Sequence, residues 1–217
     1  MAEFGHTVIG IEPDESKLRA FLAGKVPFYE PGLEESLSKA LKSGKLTFQA
    51  SHTETSRNAH AHFLCVGTPQ SEGSYAANTT FVYAAGAELA KWMSPQSVVV
   101  GKSTVPVGTA AELQKQMSEI AGFAVDLIWN PEFLREGTAL EDSLHPDRVV
   151  IGGGTNAGIA TLKEIYAPIV KAGTPFVEMD LQTAELVKTA ANSFLATKIS
   201  FINAMAEIAE VSGADTV

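Results

Sequence analysis

The segment Asn130-Pro131-Glu132-Phe133-Leu134-Arg135-Glu136-Gly137 places two carboxylates four residues apart around an arginine, directly after an apolar run. Carboxylates leaving a buried strand suit general-base work, although on spacing alone a loop salt bridge is the simpler account. Lys188 and Asn192 stand four apart in a stretch free of Gly and Pro. On a helix they share a face. An ammonium and an amide aimed together can stabilise an oxyanion, although a solvated helix face would carry the same pair. Lys102-Ser103-Thr104-Val105-Pro106-Val107-Gly108-Thr109 offers hydroxyls past another apolar run, fit for a polar ligand or for helix capping. In Val66-Gly67-Thr68-Pro69 the glycine lets a ligand approach the backbone and the proline stiffens the turn. Glu12 closes the first apolar run, where an acid can accept hydrogen bonds from an adenosine ribose or merely favour a helix start. A competing nucleotide location is Gly152-Gly153-Gly154-Thr155-Asn156-Ala157, a G-x-G-x-x-A match before a helix pattern, with Asp180 ending the next strand pattern. Cys65, inside an apolar run with no charge partner evident, reads as a buried structural thiol.

These residues need a scaffold that brings them together. β-branched and apolar runs at 6–12, 46–49, 62–67, 97–103, 125–130, 147–152 and 175–180 read as strands. Amphipathic patterns at 13–23, 33–43, 79–93, 109–121 and 156–170 read as helices between them. The alternation predicts an α/β fold, a doubly wound parallel Rossmann-like sheet with helices on both faces. Ligands of such sheets sit outside the carboxyl ends of the strands, where most of the residues above fall. Residues 183–212 contain no helix breaker, and Thr183 can cap them. About 1.5 Å per residue makes this helix too long for a crossover, so it predicts a connector between domains or a dimer spine.

Composition excludes other classes. The 217 residues are 45% apolar and 19% charged, with mean hydropathy +0.08. Lys+Arg 16 against Asp+Glu 25 gives a net charge of −9, which argues against a nucleic-acid or polybasic membrane binder. A single cysteine excludes a disulfide framework and fits a reducing compartment, so a cytoplasmic location is expected. No apolar run reaches the ~18 residues of a membrane span.

Taken in order, GHTVIGIEPDESK, PFYEPGLEE, CVGTPQ, GKSTVPVGT, NPEFLREGTALEDSLHPDRVVIG and AELVKTAANSFLATKISFINAMAEIAEVSGAD resemble the amino-terminal part of the UDP-glucose/GDP-mannose dehydrogenase family. They lie nearest its UDP-glucose branch. The resemblance implies an NAD-dependent oxidation of the sugar C6 alcohol of UDP-glucose to UDP-glucuronate, by two hydride transfers through a cysteine thiohemiacetal and thioester. It assigns Glu12 (usually Asp in the family), Lys17, Val66, Gly67, Thr68, Pro69, Ser103 and Glu136 to the cofactor. Thr104 and Glu132 match the pair that positions water and acts as base. Glu132, Phe133, Leu134, Arg135 and Glu136 match the loop that binds the UDP-sugar. Lys188 and Asn192 match the groups that stabilise the oxyanion and contact the sugar. The Gly152–Ala157 match is then a surface loop.

The resemblance also implies departures. The family's first strand and its G-x-G-x-x-G turn have no counterpart, so a central strand between those at 6–12 and 62–67 is expected to be missing. The family's nucleophilic cysteine falls past Val217 and is not Cys65, so this chain alone is not expected to complete the second oxidation. The organisation implied is an incomplete NAD-binding domain at 1–181, a long central helix at 182–217 leading to a further region, and a homodimer through residues 183–212. Alternatives are a truncated non-catalytic nucleotide-sugar-binding or dimerisation module, a GDP-mannose or N-acetylated UDP-sugar dehydrogenase, and an NAD(P) enzyme related to hydroxyacid or 6-phosphogluconate dehydrogenases, which lacks NPEFLREG.

Overall fold

A computed structural model describes residues 1–215. After a 3-10 turn at Ala2–Phe4 come β1 (Val8–Ile11), α1 (Glu15–Leu22), α2 (Leu33–Lys42), β2 (Leu46–Gln49), α3 (Glu54–Arg57), β3 (Ala61–Leu64) and α4 (Thr80–Ala90). They are followed by β4 (Val98–Gly101), α5 (Thr109–Ala121), β5 (Asp126–Trp129), α6 (Ala139–Leu144) and β6 (Val149–Gly153). α7 (Asn156–Ile165), α8 (Ala167–Lys171), β7 (Phe176–Met179) and α9 (Leu181–Ser212) complete the order. The short α3 and α6 carry no periodic signal long enough to be legible in the sequence. The pattern at 156–170 breaks at Tyr166, where Pro168 opens α8.

The strands form two sheets, β1-β2 and β3-β4-β5-β6-β7. β3, β4 and β5 pair in parallel, as do β6 and β7. The expectation of a wholly parallel sheet fails at one place, where β6 runs antiparallel to β5. The chain between them holds only α6, of six residues, and never crosses the sheet, so it re-enters from the end it left. The break between the sheets matches the expected missing strand. β1 pairs only with β2, and β3 has β4 as its sole strand neighbour among the described residues.

Period-two alternation sorts the central strands onto two faces. Val99, Leu127 and Trp129 point to one side, where Val82, Leu89, Leu113 and Met117 cover them. Val98, Val100 and Ile128 point to the other, under Leu162, Tyr166 and Ile169. Helices on both faces make the sheet doubly wound, and the polar residues just past β3, β4 and β5 gather at one end.

The glycines at 152–154 are explained by packing. A side chain at Gly152 would meet Ala184 and the Asp180 backbone, and Gly153 and Gly154 have φ of +74° and +86°. The start of α7 is already occupied, since the Asp126 carboxylate accepts from Thr155 N at 2.8 Å and from the Thr155 hydroxyl. An incoming pyrophosphate would face that carboxylate. Because β6 is reversed, this turn also lies at the sheet end opposite the strand ends of β3–β5.

α9 starts two residues before the expected position, with Asp180 rather than Thr183 as its cap; Asp180 accepts from Thr183 N at 2.7 Å. Its first turns bury Ala184, Glu185 and Lys188, while Phe194, Leu195, Ile199, Ile202 and Val211 stand exposed.

His62, on β3, is buried, and its Nε2 has no hydrogen-bond partner among the described residues. Burial, aided by His52, pushes its pKa down from 6.5 to about 4. The folded state therefore keeps His62 neutral, and stability present above pH 6.5 is lost as pH falls from there toward about 4. His62→Gln is expected to flatten chemical-denaturation stability across that window; an unchanged slope would refute this.

Candidate active site at the strand ends

β5 delivers Asn130, Pro131 and Glu132 to the carboxyl end of the sheet, and α9 crosses β5 and β6 to bring Lys188 there. Lys188 Nζ lies 3.0 Å from Glu132 Oε1, with the lysine side chain 7% exposed and the glutamate 32%. The other Glu132 oxygen accepts from Leu134 N at 2.6 Å, which fixes the carboxylate at the root of its own loop. The Phe133 ring lies 5.4 Å from Lys188 Nζ and 4.7 Å from the Arg148 guanidinium. The sequence admitted a solvated helix face for Lys188; the structure buries it against a carboxylate and an aromatic ring.

Beneath this pair lies a polar cluster. Lys102 Nζ donates to Asn130 Oδ1 at 3.0 Å, Tyr166 donates its hydroxyl to the same oxygen at 2.8 Å, and Asn130 Nδ2 donates to Val150 O at 2.7 Å. Burial lowers the Lys102 pKa below the usual lysine range; Cys65 and Glu132 oppose that shift and Lys188 adds to it. Burial likewise pushes the Tyr166 phenol up. Lys102, Asn130, Tyr166 and Arg148 were not singled out from the sequence as site residues. For Lys102 and Asn130 the available signal was a polar residue directly past a buried strand; Arg148, just before β6, and Tyr166, at the end of α7, carried no such signal.

The residues that the resemblance assigns to the cofactor after β3 and β4 are tied together by short bonds. The Ser103 hydroxyl donates to Val66 O at 2.6 Å, and the Thr68 hydroxyl to Thr104 O at 2.7 Å. These bonds hold the turns after β3 and β4 side by side. Gly67 has open space where a side chain would be, and Pro69 is exposed beside it. Thr104 offers only its carbonyl to this network, and its side chain makes no hydrogen bond among the described residues. At the end of β1, Glu12 accepts from Asp14 N at 2.9 Å through one oxygen, and the other makes no hydrogen bond among the described residues. Lys17 is exposed on α1 just beyond. An acid after β1, a bare glycine after β3 and hydroxyl-bonded turns after β3 and β4 are residue types that suit a dinucleotide.

Four assigned residues are not drawn into the cluster. Arg135 turns to Asp142 in a bidentate ion pair at 2.6 and 3.1 Å, and this guanidinium holds the Asp142 carboxyl down at about 2. Glu136 and Leu134 are exposed. Asn192 is exposed one turn past Lys188 and makes no side-chain hydrogen bond among the described residues. Cys65 is exposed as a residue, while burial pushes its thiol pKa up, so the expected unreactive thiol stands and only its full burial does not. It is exposed because it lies past the last paired residue of a strand with an open edge.

Glu185 is a structural anchor. It is 2% exposed and accepts from Gly108 N and Ala110 N, each at 2.7 Å, so a residue of α9 caps the start of α5.

A doubly wound sheet, an acid just after its first strand and a lysine–carboxylate pair at the strand ends are the layout of a dehydrogenase-type dinucleotide-binding domain. The chain belongs to the UDP-glucose/GDP-mannose dehydrogenase family: residues 1–170 match that family's NAD binding domain and residues 182–217 its central domain. It is similar to a UDP-glucose 6-dehydrogenase of Rhizobium meliloti, 41% identical over 217 residues that cover 99% of this chain and 50% of that protein. The solved UDP-glucose dehydrogenase of Pyrobaculum islandicum superposes with a TM-score of 0.91 at 40% identity, covering 99% of this chain and 50% of that one. A GDP-mannose dehydrogenase from Pseudomonas aeruginosa gives 0.92 at 28% identity, with the same coverage. The chain thus spans about half the length of the curated relatives it matches. Among the described residues no helix is long and apolar enough to cross a membrane.

Proposed function

We propose that this chain is the cofactor-binding and half of the substrate-binding machinery of an NAD-dependent oxidoreductase that converts UDP-glucose to UDP-glucuronate. The observation that carries the reading is the Lys188–Glu132 pair, 3.0 Å apart beside Phe133 at the strand ends. Residues 1–181 act as the NAD-binding domain, and 182–217, whose helix α9 runs to Ser212, as the connection to the rest of the site. Glu12 and Lys17 hold the adenosine ribose side. Val66, Gly67, Thr68, Pro69 and Ser103 line the path of the dinucleotide, and Glu136 approaches its nicotinamide end. When bound, NAD accepts the hydride lost from sugar C6.

The chain's own residues do the rest. Phe133, Leu134 and Arg135 carry the sugar-nucleotide contacts of the loop. Glu132, held by Leu134 N, receives a proton through water positioned by Thr104. Lys188 and Asn192, on one face of α9, hold the oxygen on which negative charge develops. Covalent capture at the aldehyde stage belongs to a cysteine other than Cys65, which lies beside the cofactor turn. The 40% identity to UDP-glucose dehydrogenases, against 28% to a GDP-mannose dehydrogenase, favours glucose as the sugar. The exposed apolar row of α9 supports a second copy of the chain as partner, and the reducing chemistry of a lone thiol supports a cytoplasmic setting.

The test is a chimera in which this chain replaces the segment it matches in the Rhizobium meliloti relative. Such a chimera is expected to form two NADH per UDP-glucose consumed. One NADH per sugar, or preference for GDP-mannose, would overturn the reading. Calorimetry of this chain with UDP-glucose separates a binding module from an inert one.

A further inference from the structure

The amides of the loop after β5 are collected by carboxylates from three places. Glu132 accepts from Leu134 N at 2.6 Å, and Asp142 from Arg135 N at 2.9 Å. The third carboxylate comes from far away in sequence. Glu30 Oε2 accepts from Gly137 N at 2.9 Å, and its Oε1 lies 3.5 Å from Leu140 N. Glu30 is 8% exposed, and no cation pairs with it among the described residues. Its charge is met by backbone N–H groups of one loop and by little else. A carboxylate buried with that little compensation must keep those amides or lose much of its solvation.

Gly137 has φ of +84°, a conformation that favours glycine, so the bonded amide sits at the bend of the loop. Next to it, Gly32 approaches the Leu140 side chain so closely that a side chain at 32 would crowd it. Glu30 therefore clamps the segment between α1 and α2 onto the far end of the loop, while Glu132 anchors the near end. The stretch between the anchors carries Phe133, Leu134, Arg135 and Glu136, and α1 begins just after Glu12.

We propose that Glu30 is a positioning residue that joins the β1–α1 cofactor unit to the substrate loop and holds residues 133–136 in their binding shape. This assignment rests on the reading of 132–136 as the sugar-nucleotide loop. Glu30 touches no reacting atom in this role. It acts through Gly137 and Leu140.

The experiment uses the 217-residue chain with Glu30→Ala and Glu30→Gln, read by hydrogen exchange and by calorimetry with UDP-glucose. Glu30→Ala is expected to speed exchange in the peptide spanning 133–140 at least tenfold and to leave β4 and β5 protected as before. Glu30→Gln, which keeps one acceptor oxygen, is expected to rescue much of that protection. UDP-glucose affinity is expected to fall about tenfold in Glu30→Ala and less in Glu30→Gln. Unchanged exchange at 133–140, or faster exchange spread evenly over β4 and β5, overturns the proposal. Faster loop exchange with wild-type affinity overturns it as well. If the unsubstituted chain does not bind UDP-glucose, the reading of the loop as a sugar-nucleotide site on this chain fails by itself. The exchange pattern then decides alone whether Glu30 holds the loop.

Discussion

Lys188→Ala, made in the chimera, is expected to lower kcat for NADH formation from UDP-glucose by about 10²- to 10³-fold, the cost of losing one preorganised donor to a developing oxyanion. The ammonium sits 3.0 Å from Glu132 with only 7% of its side chain exposed, so it acts where water screens it little. Its removal leaves Glu132, still 32% exposed and still bonded to Leu134 N, able to regain water. The fold should therefore survive the substitution, and the loss should appear in kcat more than in KM. Lys188→Arg keeps the charge but brings a larger planar head into a tight site, so it is expected to restore little. Steady-state absorbance of NADH checks both variants. A kcat within about threefold of the unsubstituted chimera would remove Lys188 from the chemistry.

Glu185→Ala is expected to destabilise the chain by about 3 kcal/mol, because it strips the acceptor from one buried and one half-buried amide at the start of α5. The carboxylate accepts from Gly108 N and Ala110 N at 2.7 Å each, and the residue is 2% exposed. It also meets the positive end of the α5 dipole, a second favourable term lost with it. At this chain length the change corresponds to a Tm lower by about 6–12 °C. Glu185→Gln keeps one acceptor and should lose roughly half as much. Thermal melts decide; a shift of about 1 °C or less would show that α9 does not depend on this cap. The anchor matters for function as well, since Lys188 lies three residues farther along the helix and takes its position over β5 from the same docking.

The strands and helices that carry strong periodicity were legible in the sequence. Val98–Gly101 and Asp126–Trp129 read as buried strands because both of their faces are covered, and Thr109–Ala121 was bounded by glycine caps. Short or broken elements were not. α3 and α6 are too short to show a period, and Pro168 splits a pattern whose polar alternation continues through it. The reversal of β6 could not be read either, because strand direction depends on which end of the sheet the connection stays at and not on the strand's residues.

The site divides in the same way. Residue types and spacing alone nominated Glu132, Lys188, Asn192 and Glu12 as groups able to do chemistry, since a side chain's charge and its place on a strand end or helix face are local properties. Local spacing could not choose between a solvated helix face and a buried ion pair for Lys188. Nor could it show that Arg135 would spend its charge on Asp142, that Gly152–Gly154 exist for close packing, or that Cys65 would be exposed. The Lys188 outcome was decided by a contact between residues far apart in the chain, 188 with 132, and so were the anchors of 185 on 108 and 110 and of 30 on 137. Burial and pairing are set by what the tertiary structure places opposite each group, so the sequence determined the chemistry on offer and the packing decided which of it is used.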